Sequence, residues 1–116
     1  MNCNALVITV NNTVSLRKCD GLEFLKSVVG GYIEIVSMPD CQHHFYVNDN
    51  GKNKNLMRND IATALWREHC ASNDVLVGDV VVLKTTDGNG HIDGEEHSPS
   101  QAIVDEAIRI RDTITK

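Results

Sequence analysis

The stretch Val28-Val29-Gly30-Gly31-Tyr32-Ile33-Glu34-Ile35-Val36 constrains this chain most, because it ends a helix, turns and begins a strand within nine residues. Leu22, Leu25, Val28 and Val29, with Phe24 alongside, recur every three to four positions, the spacing of a helix with one buried stripe. Asp20 stands where a cap is expected. Gly30 or Gly31 supplies the left-handed residue that ends such a helix without a Cβ clash. Tyr32 to Val36 then reads as a strand, with Ile33 and Ile35 on one face and Tyr32, Glu34 and Val36 on the other. Glu34 is therefore either on a wet face or aimed into a pocket.

Other elements follow from pattern. Ala5–Val10 is a strand that Asn11-Asn12 returns through Val14-Ser15-Leu16 as a hairpin. His43–Val47 is a strand antiparallel to Tyr32–Val36, followed by an Asn50-Gly51 turn of the primed hairpin type. Asn59 caps a helix carrying Ile61, Ala62, Leu65 and Trp66, whose register assigns Trp66 to the core. The unbroken run Val80-Val81-Val82-Leu83 belongs in the centre of a sheet covered on both faces. Thr85 to His97 is a glycine-rich acidic loop, and Ser98-Pro99-Ser100-Gln101 opens a last helix as a capping box with Ser98 at the cap. Asp105 and Arg109 are spaced to pair across one turn. Three helices with four or five mainly antiparallel strands make a single α+β domain over 1–116, a length that supports one core.

Charge narrows the partners. The formal net charge is −5, and residues 59–116 hold eleven Asp/Glu against five Lys/Arg, so a nucleic-acid reader with its basic footprint is disfavoured. No apolar run approaches a membrane span and no signal peptide is expected, which predicts a cytoplasmic protein with reduced cysteines.

The ordered motifs Leu22-Glu23-Phe24-Leu25, Val29-Gly30-Gly31-Tyr32-Ile33-Glu34, Tyr46-Val47-Asn48-Asp49-Asn50-Gly51-Lys52, Asn59-Asp60-Ile61-Ala62-Thr63 and Val77-Gly78-Asp79-Val80-Val81-Val82 resemble a small family, domain of unknown function 3846. They cover nearly the whole chain. The long interval from Asn59 to Gly78 and the histidine pair before Tyr46 differ from the family pattern. The resemblance implies a setting rather than a reaction. It points to a phage or mobile-element accessory protein in a bacterial host cytoplasm, acting on a host protein or a small signalling molecule and counteracting host defence.

No catalytic constellation is evident. Gly30-Gly31 lacks the third glycine of a dinucleotide loop and follows a helix rather than a strand. His69 and Cys70 diverge as helix neighbours, and His43 and His44 alternate across a strand, so Asp40, Cys41, His43 and His44 make a poor soft-metal site. In Thr85–Glu96, Asp87, Asn89, Asp93 and Glu96 fall on calcium-ligand positions of an EF-hand loop, although Thr85 stands where an Asp is required and a strand precedes it. No cofactor other than that calcium ion is expected. The polar motif residues Tyr32, Glu34, Asn48, Lys52, Asn59 and Asp79 remain as ligand-binding candidates. Tyr32 and Glu34 are expected to share a sheet face and to meet Lys52 or Asn59 there. The leading expectation is a non-enzymatic binding module, with a homo-oligomer left open. A calcium module is one alternative, and a hydrolase using Glu34 as general base is the other.

Overall fold

The computed structural model describes residues 3–38, 43–70, 73–86 and 92–115, without the side chains of 85–86 and 92–96. The elements in chain order are β1 (Cys3–Ile8), β2 (Val14–Cys19), α1 (Leu22–Val29), β3 (Ile33–Ser37), β4 (His43–Asn48), α2 (Asp60–His69), β5 (Val80–Thr86), β6 (Ile92–His97) and α3 (Gln101–Ile114). The fold is α+β, as the sequence predicts. Every strand pairing is antiparallel, and the order is β2-β1-β5-β4-β3 with β6 also on β5.

β5 is the axis of the sheet. Val81–Lys84 pairs with β4 on one edge, while Val80–Val82 pairs with β1 and Lys84 and Thr86 pair with β6. Val80, Val81, Val82 and Leu83 are fully buried, as an unbroken apolar run requires. Their side chains alternate between two cores. Leu6, Ile8, Phe45, Val47, Val80 and Val82 meet α2 and α3 on one face, whereas Ala5, Val7, Tyr46, Val81 and Leu83 meet Leu25 of α1 on the other.

α1 ends at Gly30, which is left-handed (φ 81°) and donates its N–H to the Lys26 carbonyl, the turn that the glycine pair predicts. Its start differs from expectation: Gly21, not Asp20, is the cap, with no side-chain bond. At α3 the cap is Ser100, whose Oγ accepts from Ile103 N, because Ser98 Oγ is taken by the Asn4 backbone N–H of β1 at 2.9 Å. Gln101 accordingly bonds Asp105 rather than closing a capping box, and Arg109 pairs with Glu68 of α2 instead of Asp105.

Two further segments depart from the sequence reading. The stretch given to a loop contains β6, whose Asp, Gly and Glu are weak strand formers held by the edge of β5. Asn50-Gly51 does not make a primed hairpin. Residues 48–56 instead coil through successive turns, with Lys54 N bonding Asn50 O and Leu56 N bonding Gly51 O, and the positive φ falls on Asn55. Gly51 is needed for closeness, since a Cβ there would lie 2.9 Å from Val77 Cγ2.

Candidate ligand-binding site

Three of the six polar candidates act as struts. Asn59 is fully buried: its Oδ1 accepts from Ala62 N to cap α2, and its Nδ2 donates to the carbonyls of Ile8 and Gly78, each at 2.9 Å. It thereby ties α2, β1 and the approach to β5 together. Asp79 Oδ1 accepts from Val10 N at 3.0 Å and fixes the β1–β2 turn. Asn48, also buried, donates to the Val29 carbonyl at the end of α1 and accepts from Asn50 N.

Those struts position a cleft. Glu34 and Val36 of β3, with Val47 of β4, share the face that α2 and α3 cover, and on β3 that face is only partly covered. The coil 48–53 bounds the opening on one side and the segment 74–77 on another. The latter is held to α2 by Thr63, whose Oγ1 accepts from Leu76 N and donates to Leu76 O. Trp66 of α2 contributes to the wall, and the volume of the cleft is about 170 Å³.

The wall is mixed in character. Val36, Val47, Val75 and Leu76 supply an apolar lining, and Glu34, Asp49, Lys52 and Asp74 supply charge. Lys52 pairs with Asp74, and this hydrogen bond, aided by the Val75 backbone N–H, holds the Asp74 carboxyl below the usual carboxylate range. Arg67 anchors the same segment by donating to the carbonyls of Asn73 and Asp74. Glu34 and Asp49 have no cationic partner among the described residues. Trp66 is 9 % exposed, and its indole Nε1 is buried with no acceptor among the described residues. Among the described residues the lining includes no Ser, Thr, Cys or His.

A family model described as a domain of unknown function, DUF3846, matches residues 1–108. The chain belongs to this family. The match runs from β1 into α3 and includes every residue that lines the cleft. No curated protein matches the chain, and no solved structure does.

In this DUF3846 domain Tyr32 and Glu34 part company, contrary to the expectation from alternation. Tyr32 precedes β3, in the bend after Gly31, and its ring turns to the α1 side, where Lys26 Nζ lies 5.2 Å from the ring centroid. It is 72 % exposed and borders a broad, shallow groove with Glu23, Ser27 and Lys54. Asp49 and Asn50 border both hollows. Of the candidates, Glu34, Asn48 and Lys52 thus come together, while Tyr32 lines the neighbouring groove and Asn59 and Asp79 lie in the frame.

The calcium candidates Asp87 and Asn89 lie outside the described residues. Asp93 and Glu96 lie on β6, with their side chains outside the description. Asp40 and Cys41 also lie outside it, and no His/Cys/Asp/Glu cluster suited to a metal occurs among the described residues. His43 Nε2 accepts from Ser100 N at 3.2 Å, and His69 Nε2 lies 2.9 Å from Glu106 Oε2. Trp66, Asp49 and Asp74 are among the cleft residues that the sequence pattern did not single out. The apolar register of Trp66 marked it as core, which it also is, and nothing local marks the two aspartates.

Proposed function

We propose that this domain is a non-enzymatic binding module that takes a small molecule in the cleft between β3, the 48–53 coil and Trp66. The observation that carries this reading is the cleft itself, a hollow of about 170 Å³ walled by Val36, Val47, Trp66, Val75 and Leu76 and rimmed by Glu34, Asp49, Lys52 and Asp74. The apolar lining adds a contact surface, and the charged rim adds orientation, the usual composition of a small-ligand site.

The family resemblance supports the setting: an accessory protein of a phage or mobile element that acts in a bacterial host by binding a small signalling molecule or a host factor, and so counteracts host defence. The cleft favours the small molecule over the host protein as the ligand.

A fragment screen on ¹⁵N-labelled protein tests the proposal. Shifts of bound fragments are expected to cluster on Trp66 Nε1–H and on the backbone of Val47, Asn50, Lys52 and Val75. Fragments that bind only elsewhere, or none that bind at all, would refute it.

A further inference from the structure

We infer that a second copy of this chain docks on the outer edge of β3, strand against antiparallel strand across a two-fold axis, so that the two sheets become one. The inference goes beyond the binding reading and does not rest on it.

β3 ends the sheet order β2-β1-β5-β4-β3, and no described strand lies beyond it. Two hydrogen bonds fix which of its backbone groups face outward. Asp49 N donates to Tyr32 O and Met38 N donates to His43 O, each between residues that stand opposite one another when the β3–β4 register is continued. Hydrogen-bonded pairs alternate along an antiparallel ladder, so Glu34 and Val36 turn their N–H and C=O groups toward β4. Ile33, Ile35 and Ser37 therefore turn theirs away from the sheet. Backbone groups aligned in this way are a template for another strand.

This edge lacks the features that keep other strands off. Exposed edges are commonly blunted by lysine, proline or a bulge. β2, at the opposite end of the order, carries Arg17 and Lys18, whereas Ile33–Ser37 has no proline and no cation, and its register with β4 is unbroken. Ile35 is 50 % exposed.

What selects a second copy is the self-complementarity of the strand. Continuing both faces of the sheet requires odd positions to meet odd positions. With Ile35 opposite Ile35 of the second copy, Ile33 meets Ser37, and every outward N–H and C=O of these three residues is used in both copies. Glu34 then stands opposite Val36, which keeps the two carboxylates apart. The register that pairs Ile33 with Ile35 sets the two Glu34 carboxylates against each other and leaves Ser37 over. The register that pairs Ile35 with Ser37 leaves Ile33 over. Charge and hydrogen bonding thus choose the same arrangement. It brings Val36 of the second copy beside Glu34 at a non-hydrogen-bonded pair, where side chains lie closest, so each copy adds a residue to the rim of the other's cleft.

Sedimentation equilibrium on a concentration series, with amide hydrogen exchange read by NMR on the same samples, tests the inference. Twice the chain mass is expected at high concentration. Exchange is expected to slow at Ile33, Ile35 and Ser37 as the dimer forms and to stay unchanged at Glu34 and Val36, which β4 already protects. Ile35→Pro removes an N–H that β4 does not use, a change that an edge strand tolerates, and is expected to abolish the dimer. Ile35→Lys sets two ammonium groups opposite each other and is expected to give a monomer whose spectrum otherwise superimposes. Three results would each overturn the inference: a protein that is monomeric at every concentration reached, which leaves the β3 edge to a foreign strand or to solvent; a dimer that neither variant weakens; and a dimer that protects Val14, Leu16 and Lys18 of β2 instead. None of them touches the binding module, which the fragment screen tests separately.

Discussion

Lys52 and Asp74, separated by 22 positions, both line the cleft, and their pairing ties the coil after β4 to the segment after α2. Both side chains are more than half exposed, so the pair contributes at most about 1 kcal/mol, reduced by screening. Lys52→Met is therefore expected to leave the urea midpoint nearly unchanged at neutral pH. The sign of its pH dependence is fixed by Asp74, whose folded-state carboxyl sits below the ordinary value of 3.8 because Lys52 donates to it. That contribution is present above 3.8 and fades as pH falls through the lowered value. The small wild-type advantage should vanish in acid, and an advantage that grows in acid would contradict the assignment.

Trp66→Phe separates the two roles of that residue. Phenylalanine keeps most of the contact with the Leu65 and Leu76 core but removes the indole N–H that lacks an acceptor. Loss of the orphan donor offsets part of the lost packing, so equilibrium unfolding should show a cost of less than about 2 kcal/mol. Trp66→Ala should cost about 3–5 kcal/mol.

Asn59→Asp changes one atom and should destabilise by about 2–4 kcal/mol. The cap to Ala62 N survives, but the donors to Ile8 O and Gly78 O are lost at a fully buried site. A chemical denaturation series measures this. Asn59→Asp should recover stability relative to wild type as pH falls, because protonation of the buried carboxylate removes its charge.

Between α2 and α3, Glu106 meets His69 and Glu68, and Glu68 receives Arg109. Burial, and then the hydrogen bond with Glu68, push the Glu106 carboxyl above the ordinary 4.5. The folded state thus holds that proton more tightly than the unfolded chain. The stabilisation from this proton is complete below 4.5 and is lost as pH rises through the raised value. Glu68 shifts the opposite way, lowered by its hydrogen bonds with Glu106 and Arg109, so its contribution is present above 4.5 and is lost as pH falls through its own value. Glu106→Gln removes the charge, keeps a side-chain carbonyl for His69 and can donate to Glu68. Its Tm should exceed that of wild type at pH 7, and the gap should close in acid.

What the sequence disclosed was local. The β1–β2 hairpin, the Gly30 stop, the Asn59 cap and the doubly covered β5 each rest on residues within a few positions of one another, and each stands in the structure. The capping box failed because Asn4, 94 positions away, claims Ser98. β6 was hidden because its pairing comes from β5 and not from its own composition. Alternation placed Glu34 on the correct face but misplaced Tyr32, since the bend after Gly31 re-aims a residue that pattern alone assigns to the strand. The cleft joins Glu34, Lys52, Trp66 and Asp74 from four separate segments, and no local pattern marks that meeting.

The measurement that bears most directly on the central claim is a set of intermolecular NOEs from the side chains of Trp66 and Val47 to a bound fragment. The binding-module account predicts contacts from the Trp66 ring protons and from the Val47 methyls to the same fragment, those at Val47 retained in Trp66→Phe at saturating fragment. Fragments that bind with contacts only to the Tyr32–Lys26 groove or the outer helix faces would contradict it.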